Sequence, residues 1–164
     1  MARSRAVLVA ALATALLGSA AAGWWVAGSD PASTDATVVE VVDGDTIVVD
    51  VGGARDTVRL LGVDTPETKH PDEPVQCFGP EASAFTSGHL LGRRVRLERD
   101  VEARDRYGRR LAYVHVDGTR FNDELLRRGY ARLLVLPPNT AHARTMLRLE
   151  LAARSEGRGL WEAC

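Results

Sequence analysis

Lysine is almost missing from this 164-residue chain: Lys69 stands alone, and arginine supplies the other basic side chains. The bias fits genomic base composition and carries little functional weight. A basic excess is missing as well. The formal net charge is −1, which excludes the broad cationic face usual for proteins that coat nucleic acid. Attraction to a polyanion must therefore be local, in the arginine-rich stretch over residues 93–110, or come partly from a bound cation. Cysteine is limited to Cys77 and Cys164, with no Cys-x-x-Cys pair from which to build a zinc site, so metal binding by these cysteines is not expected. His70, His89, His115 and His142 have neither ligand nor triad spacing and read as surface or core-edge residues. There is no internal repeat and no sign of a second domain. A hydrophobic content of 45% with 26% charged residues is ordinary for a globular protein, and the length suffices for a single core.

The N-terminus reads as a targeting segment. Arg3 and Arg5 precede an uncharged run over residues 6–28, and Ser19-Ala20-Ala21-Ala22 has the small residues found before a signal-peptidase cut. The run also approaches the length of a membrane span, and Trp24-Trp25 suits an interface, so residues 1–28 serve either as a cleaved signal or as a retained anchor. Either way the expected location is outside the cytoplasm, with contact to a membrane only through that segment. Residues 29–36 read as a polar linker, and residues 37–164 as one domain, expected to be a monomer. In an oxidising compartment Cys77 and Cys164 pair most simply as a disulfide that pins the C-terminal tail to the entrance of the first helix.

Short β-branched runs over residues 37–42, 47–51 and 57–63, separated by Asp-Gly-Asp and Gly-Gly turns, predict three successive strands. Residues 94–101 and 111–116 predict two more. Pro80 opens a helix running to about residue 91. A second is expected over 121–128, capped by Asn122 or Asp123 and stopped by Gly129. A third is expected over about 140–154, with Met146, Leu149 and Ala153 on one stripe. The fold class is mainly β with α (α+β): a five-stranded Greek-key barrel of OB type with three helices.

Three segments carry chemistry: Val42-Asp43-Gly44-Asp45-Thr46, Arg59-Leu60-Leu61-Gly62-Val63-Asp64-Thr65-Pro66-Glu67-Thr68, and Asp105-Arg106-Tyr107-Gly108-Arg109. Asp45 and Asp64 suit a hard cation such as Ca²⁺ or Mg²⁺, with the Thr65 carbonyl as a further oxygen ligand. Arg59 and Arg109 suit a phosphodiester, because the guanidinium fork matches phosphate oxygens and stays charged. Glu67, in the turn after Pro66, is left to orient or deprotonate an attacking water. Arg106 and Tyr107 are candidates for contact with the substrate.

These residues resemble the staphylococcal (micrococcal) nuclease, or thermonuclease-like, family. The resemblance runs over residues 37–161 and takes in Gly79-Pro80-Glu81-Ala82-Ser83-Ala84-Phe85 and Leu111-Ala112-Tyr113 besides the three segments. It implies an OB-fold barrel, one Ca²⁺ on Asp45, Asp64 and the Thr65 carbonyl, and catalytic roles for Arg59, Glu67 and Arg109. It also implies hydrolysis of DNA and RNA that leaves 3′-phosphates. One departure stands out: after Gly129-Tyr130-Ala131, where the family has tyrosines that stack on the nucleotide, this chain reads Leu133-Leu134-Val135-Leu136-Pro137-Pro138. Loss of stacking predicts weaker grip on substrate more than altered chemistry. The alternative function is an extracytoplasmic OB-fold module that binds nucleic acid without cleaving it, a role that does not require the full set of Asp45, Arg59, Asp64, Glu67 and Arg109.

Overall fold

In the computed structural model of the protein, residues 33–68 and 74–164 are described. The chain opens with β1 (Ser33–Val41), β2 (Thr46–Val51), β3 (Ala54–Leu60) and β4 (Gly62–Asp64), followed by α1 (Gly79–Leu90). Then come β5 (Arg94–Glu98), β6 (Arg110–Val116), β7 (Thr119–Arg120), α2 (Phe121–Arg127), β8 (Arg132–Leu134), α3 (Ala143–Ser155) and the short α4 (Leu160–Ala163). The expected leader over residues 1–28 lies outside the described residues, as do His70 and most of the loop after Thr68. Ser33–Ala36, expected as linker, is already strand and pairs with β5.

The barrel is closed by β1, β2, β3, β5 and β6. The sheet runs β3-β2-β1-β5-β6-β7, and a parallel pairing of β3 with β6 joins its ends. Closure removes the strand edges that would otherwise invite association. A register shift between Val38 and Glu40 bends β1 around the barrel, as bulges do. Alternation does the sorting: on β5, Val95 and Leu97 point inward while Arg94 and Arg96 stay exposed. Val38, Ile47, Val49, Val58, Leu60, Leu97 and Val114 fill the interior, Phe121, Leu125, Leu126 and Met146 pack on it from α2 and α3, and Tyr113 is buried on the opposite face of β6, against His142. Each fully buried aliphatic side chain contributes roughly 1.5–3 kcal/mol.

Several boundaries depart from expectation for local reasons. The predicted strand over 57–63 is broken because Gly62 takes a left-handed φ of 74°. The chain there turns away from the barrel, and β4 pairs instead with β8 in a separate two-stranded sheet. A Cβ at position 62 would also sit 2.6 Å from the Met146 side chain. Neither Asn122 nor Asp123 caps α2; Arg120 occupies that position without a side-chain cap. Asn122 is fully buried, accepting from the Val114 amide at 2.8 Å and donating to the Leu61 carbonyl at 2.8 Å. Asp123 is held by two hydrogen bonds from Arg120.

Candidate active site

The loop between β1 and β2 delivers the first carboxylate. Its tip is locked by the Asp45 amide, which donates to the Asp43 carboxylate at 3.0 Å. A Cβ on Gly44 would lie 2.7 Å from the Thr65 side chain, so only glycine lets this loop pack against the segment after β4. Asp45 is 5% exposed, and both of its oxygens accept hydrogen bonds. Its Oδ2 accepts from the Thr65 amide at 2.8 Å and the Thr65 hydroxyl at 3.1 Å, and its Oδ1 accepts from the Thr46 hydroxyl at 3.1 Å.

Arg59 reaches the same carboxylate because β2 and β3 set Thr46 opposite Arg59. Its Nε lies 3.1 Å from Asp45 Oδ1, and one terminal nitrogen donates to Asp64 at 3.0 Å. The other terminal nitrogen donates to the carbonyls of Leu60 and Val63, which fixes the plane of the guanidinium. Asp64, at the end of β4, is more than half exposed. Glu67 follows; its backbone amide donates to Gln76 Oε1, and its own Oε1 accepts from the Thr68 amide at 2.7 Å.

Arg109 arrives on a loop built around Asp105. One Asp105 oxygen accepts from the amides of Tyr107 and Arg109, each at 2.9 Å, and the other accepts from Arg109 Nε at 2.7 Å. Burial would raise the Asp105 carboxyl, but these hydrogen bonds outweigh it and hold the group below its ordinary range. Gly108 makes the turn with a φ of 82°. The loop is clamped to β3, since Arg104 grips both oxygens of Asp56 and Arg110 adds a third bond. Those contacts, led by Arg104, pull the Asp56 carboxyl down.

Asp45, Arg59, Asp64, Thr65, Glu67 and Arg109 line one hollow of about 240 Å³. Asp43 lines it too, unassigned by sequence reasoning; burial first, then the charges of Asp45 and Glu67, push its carboxyl up to about 6. Four acidic side chains thus share the hollow with two arginines, one of them already paired outside it. That imbalance fits a hard cation, and the donors are all oxygen. Among the described residues no group of three or more His, Cys, Asp or Glu side chains is gathered so as to hold a metal ion without other oxygen ligands.

Arg106 and Tyr107 do not enter this hollow. They line a neighbouring groove of about 630 Å³, which shares Arg59 and Arg109 with it and presents Leu134 and Leu136. Tyr107 is 67% exposed, with the guanidiniums of Arg106 and Arg109 lying 4.7 and 5.4 Å from its ring centre. The Cys77–Cys164 disulfide is present, with its Cα atoms 6.1 Å apart. Although Cys164 lies far along the chain from the catalytic candidates, the disulfide lines a hollow together with Asp64 and Thr65. His115 and His142, apart in sequence, both meet Glu98, at 2.6 and 2.9 Å.

Residues 57–163 match the family model described as staphylococcal nuclease homologue. The chain is 46% identical over 125 residues to the thermonuclease of Staphylococcus intermedius, covering 76% of this chain and 74% of that protein. It is 44% identical over 124 residues to the thermonuclease of Staphylococcus hyicus, with 76% and 73% covered. It is 42% identical over 127 residues to endonuclease YncB of Bacillus subtilis (strain 168), with 76% and 60% covered. With its closed barrel, and with this extent of similarity, the chain belongs to the staphylococcal nuclease family.

Proposed function

We propose that this chain is a calcium-dependent nuclease that hydrolyses the phosphodiester bonds of DNA and RNA and leaves 3′-phosphates. The reading includes a monomer acting outside the cytoplasm, secreted or held at the outer face of the membrane by residues 1–28. The observation that carries it is the convergence of Asp45, Asp64, Glu67, Arg59 and Arg109 on one hollow. The relatives named thermonuclease and endonuclease support it.

Ca²⁺ held by Asp45, Asp64 and the Thr65 carbonyl would supply positive charge beside the phosphoryl oxygens. The remaining work falls to side chains. Glu67, oriented by the Thr68 amide, takes a proton as a water oxygen joins phosphorus. The bond from phosphorus to the 5′-oxygen breaks, and the products are a 3′-phosphate and a 5′-hydroxyl that gains its proton from solvent. Arg109, held through Nε by Asp105, offers its terminal nitrogens to the charge growing on phosphate, and Arg59, already held by Asp45 and by the Leu60 and Val63 carbonyls, offers the remaining N–H of the terminal nitrogen that donates to Asp64. Leu134 and Leu136 give the adjoining groove an aliphatic surface, so short substrates are held more weakly than by stacked aromatic rings.

Incubation of the purified domain with single-stranded DNA and with RNA, in Ca²⁺ or in excess chelator, tests the proposal. Cleavage of both with Ca²⁺ only, with phosphate at the new 3′ ends, is expected. Binding of oligonucleotide without cleavage under every metal condition would leave the non-catalytic module as the answer.

A further inference from the structure

Three hollows lie side by side across this face. The apolar groove and the catalytic hollow share Arg59 and Arg109; the catalytic hollow and a third, of about 220 Å³, share Asp64, Thr65 and Gln76. The third hollow is closed by the Cys77–Cys164 disulfide and by Arg132. No function described so far uses Arg132.

Its position is set by the small sheet. β4 and β8 pair with Asp64 opposite Arg132, and directly opposed residues project to the same face. The metal-ligand candidate and this arginine therefore stand together at the edge of the catalytic hollow. Among the described residues no carboxylate forms an ion pair with Arg132, whereas Arg59, Arg104, Arg109 and Arg110 all have such partners. Instead its guanidinium lies 4.7 Å from the Trp161 ring centre, and Arg154 approaches the same ring at 5.3 Å. A guanidinium laid on an indole keeps its charge and its hydrogen-bond donors while giving up much of its freedom to swing, so less entropy is sacrificed when it grips an anion. Arg154 does not line the hollow.

We infer that Arg132 is a substrate-binding residue that receives the phosphate next to the scissile one, on the side of the active site opposite the apolar groove. This rests on the proposed phosphodiesterase reading and extends it: the enzyme engages a strand on both flanks of the bond it cuts, through leucines and Tyr107 on one side and a tryptophan-supported arginine on the other.

The test uses three substrates: a dinucleotide with one phosphodiester, and the same dinucleotide extended by one nucleotide at its 5′ end or at its 3′ end. Arg132→Gln should raise KM about five- to fifteen-fold, the size of one solvent-screened guanidinium–phosphate interaction, for one of the two extended substrates. KM for the other two should stay within about twofold, and kcat should hold for all three. On a 12-nucleotide single strand, the slope of log(kcat/KM) against log[salt] should become shallower by ~0.7, because one phosphate fewer is neutralised by the protein. Arg154→Gln removes the other cation from Trp161 and should leave every KM unchanged, which separates phosphate binding from mere support of the tail. Arg132→Lys keeps a cation over the ring and serves if the Gln variant fails to fold; its KM rise should be smaller and confined to the same substrate. Equal KM changes on all three substrates, no change on any, or the same pattern in Arg154→Gln would overturn the inference. A wild-type enzyme that cleaves neither these nor the 12-nucleotide strand would overturn the phosphodiesterase reading along with it.

Discussion

Asp105→Asn separates the positioning of Arg109 from the presence of Arg109. The Asp105 oxygen that accepts from the Tyr107 and Arg109 amides, each at 2.9 Å, has a direct replacement in an amide oxygen. Those two donors also dictate the orientation of the new amide, so its NH₂ faces Arg109 Nε, where a carboxylate oxygen now accepts at 2.7 Å. Donor then meets donor. The turn survives and the guanidinium is released. A charged hydrogen bond contributes ~1.5–3 kcal/mol when buried, and this one lies between side chains 32% and 17% exposed, so screening reduces the figure to about 1–2 kcal/mol. At 1.36 kcal/mol per tenfold, kcat should drop by roughly 5- to 30-fold, with KM changed little and the melting temperature lowered by roughly 3–10 °C. Steady-state kinetics on single-stranded DNA alongside thermal melting make the measurement. If Asp105→Asn keeps kcat within twofold while Arg109→Lys loses fifty-fold or more, Asp105 is not what aims Arg109.

Three further outcomes are expected. Arg59→Lys should lose about 10²–10³ in kcat, because an ammonium with three donors cannot hold Asp45, Asp64 and the Leu60 and Val63 carbonyls and still present a donor to phosphate; full activity in that variant would show the guanidinium to be dispensable. The Cys77→Ser/Cys164→Ser double change opens a loop of sequence separation 87, for which chain entropy gives roughly 4–5 kcal/mol, so melting should fall on the order of 10 °C; an unchanged melting curve would contradict this. Stability should also fall on acidification from pH 7 to 4. Burial would raise Glu98, but bonds from His142 and His115 hold it low, and that stabilisation is lost as pH drops through its folded value. His115 is held below its ordinary 6.5 by burial, with Arg96 and Arg120 adding to the shift against the pull of Glu98, so acid favours the unfolded chain there too. Glu98→Gln should flatten the melting profile below about pH 5, and a wild-type profile that stays flat as pH falls from about 5 to 3 would refute the assignment.

The barrel was legible because its strands announce themselves locally. Val58, Val95 and Leu97 alternate with polar neighbours, and Ile47-Val48-Val49 is a β-branched run between turns. β8 was not legible: Leu133-Leu134-Val135-Leu136 has no alternation, and its partner is a three-residue strand released by the left-handed turn at Gly62. Asn122 looked like a helix cap because that is its commonest use; tertiary packing took it for two backbone groups of the barrel instead. The catalytic candidates could be collected from residue type and spacing, since hard carboxylates and paired arginines state their chemistry directly. The supporting layer could not. Asp105 acts through three bonds to its own loop, Glu98 joins two histidines distant in sequence, and the disulfide comes to rest beside Asp64 only once the tail has folded back.

The most direct test of the central claim sets metal binding beside cleavage in wild type, Asp64→Ala and Glu67→Gln, by calorimetric titration with Ca²⁺ and by hydrolysis of single-stranded DNA. One Ca²⁺ with cleavage in wild type, neither in Asp64→Ala, and retained Ca²⁺ with strongly reduced cleavage in Glu67→Gln is the predicted pattern. Full-rate cleavage by Asp64→Ala, or by wild type in excess chelator, would contradict the account.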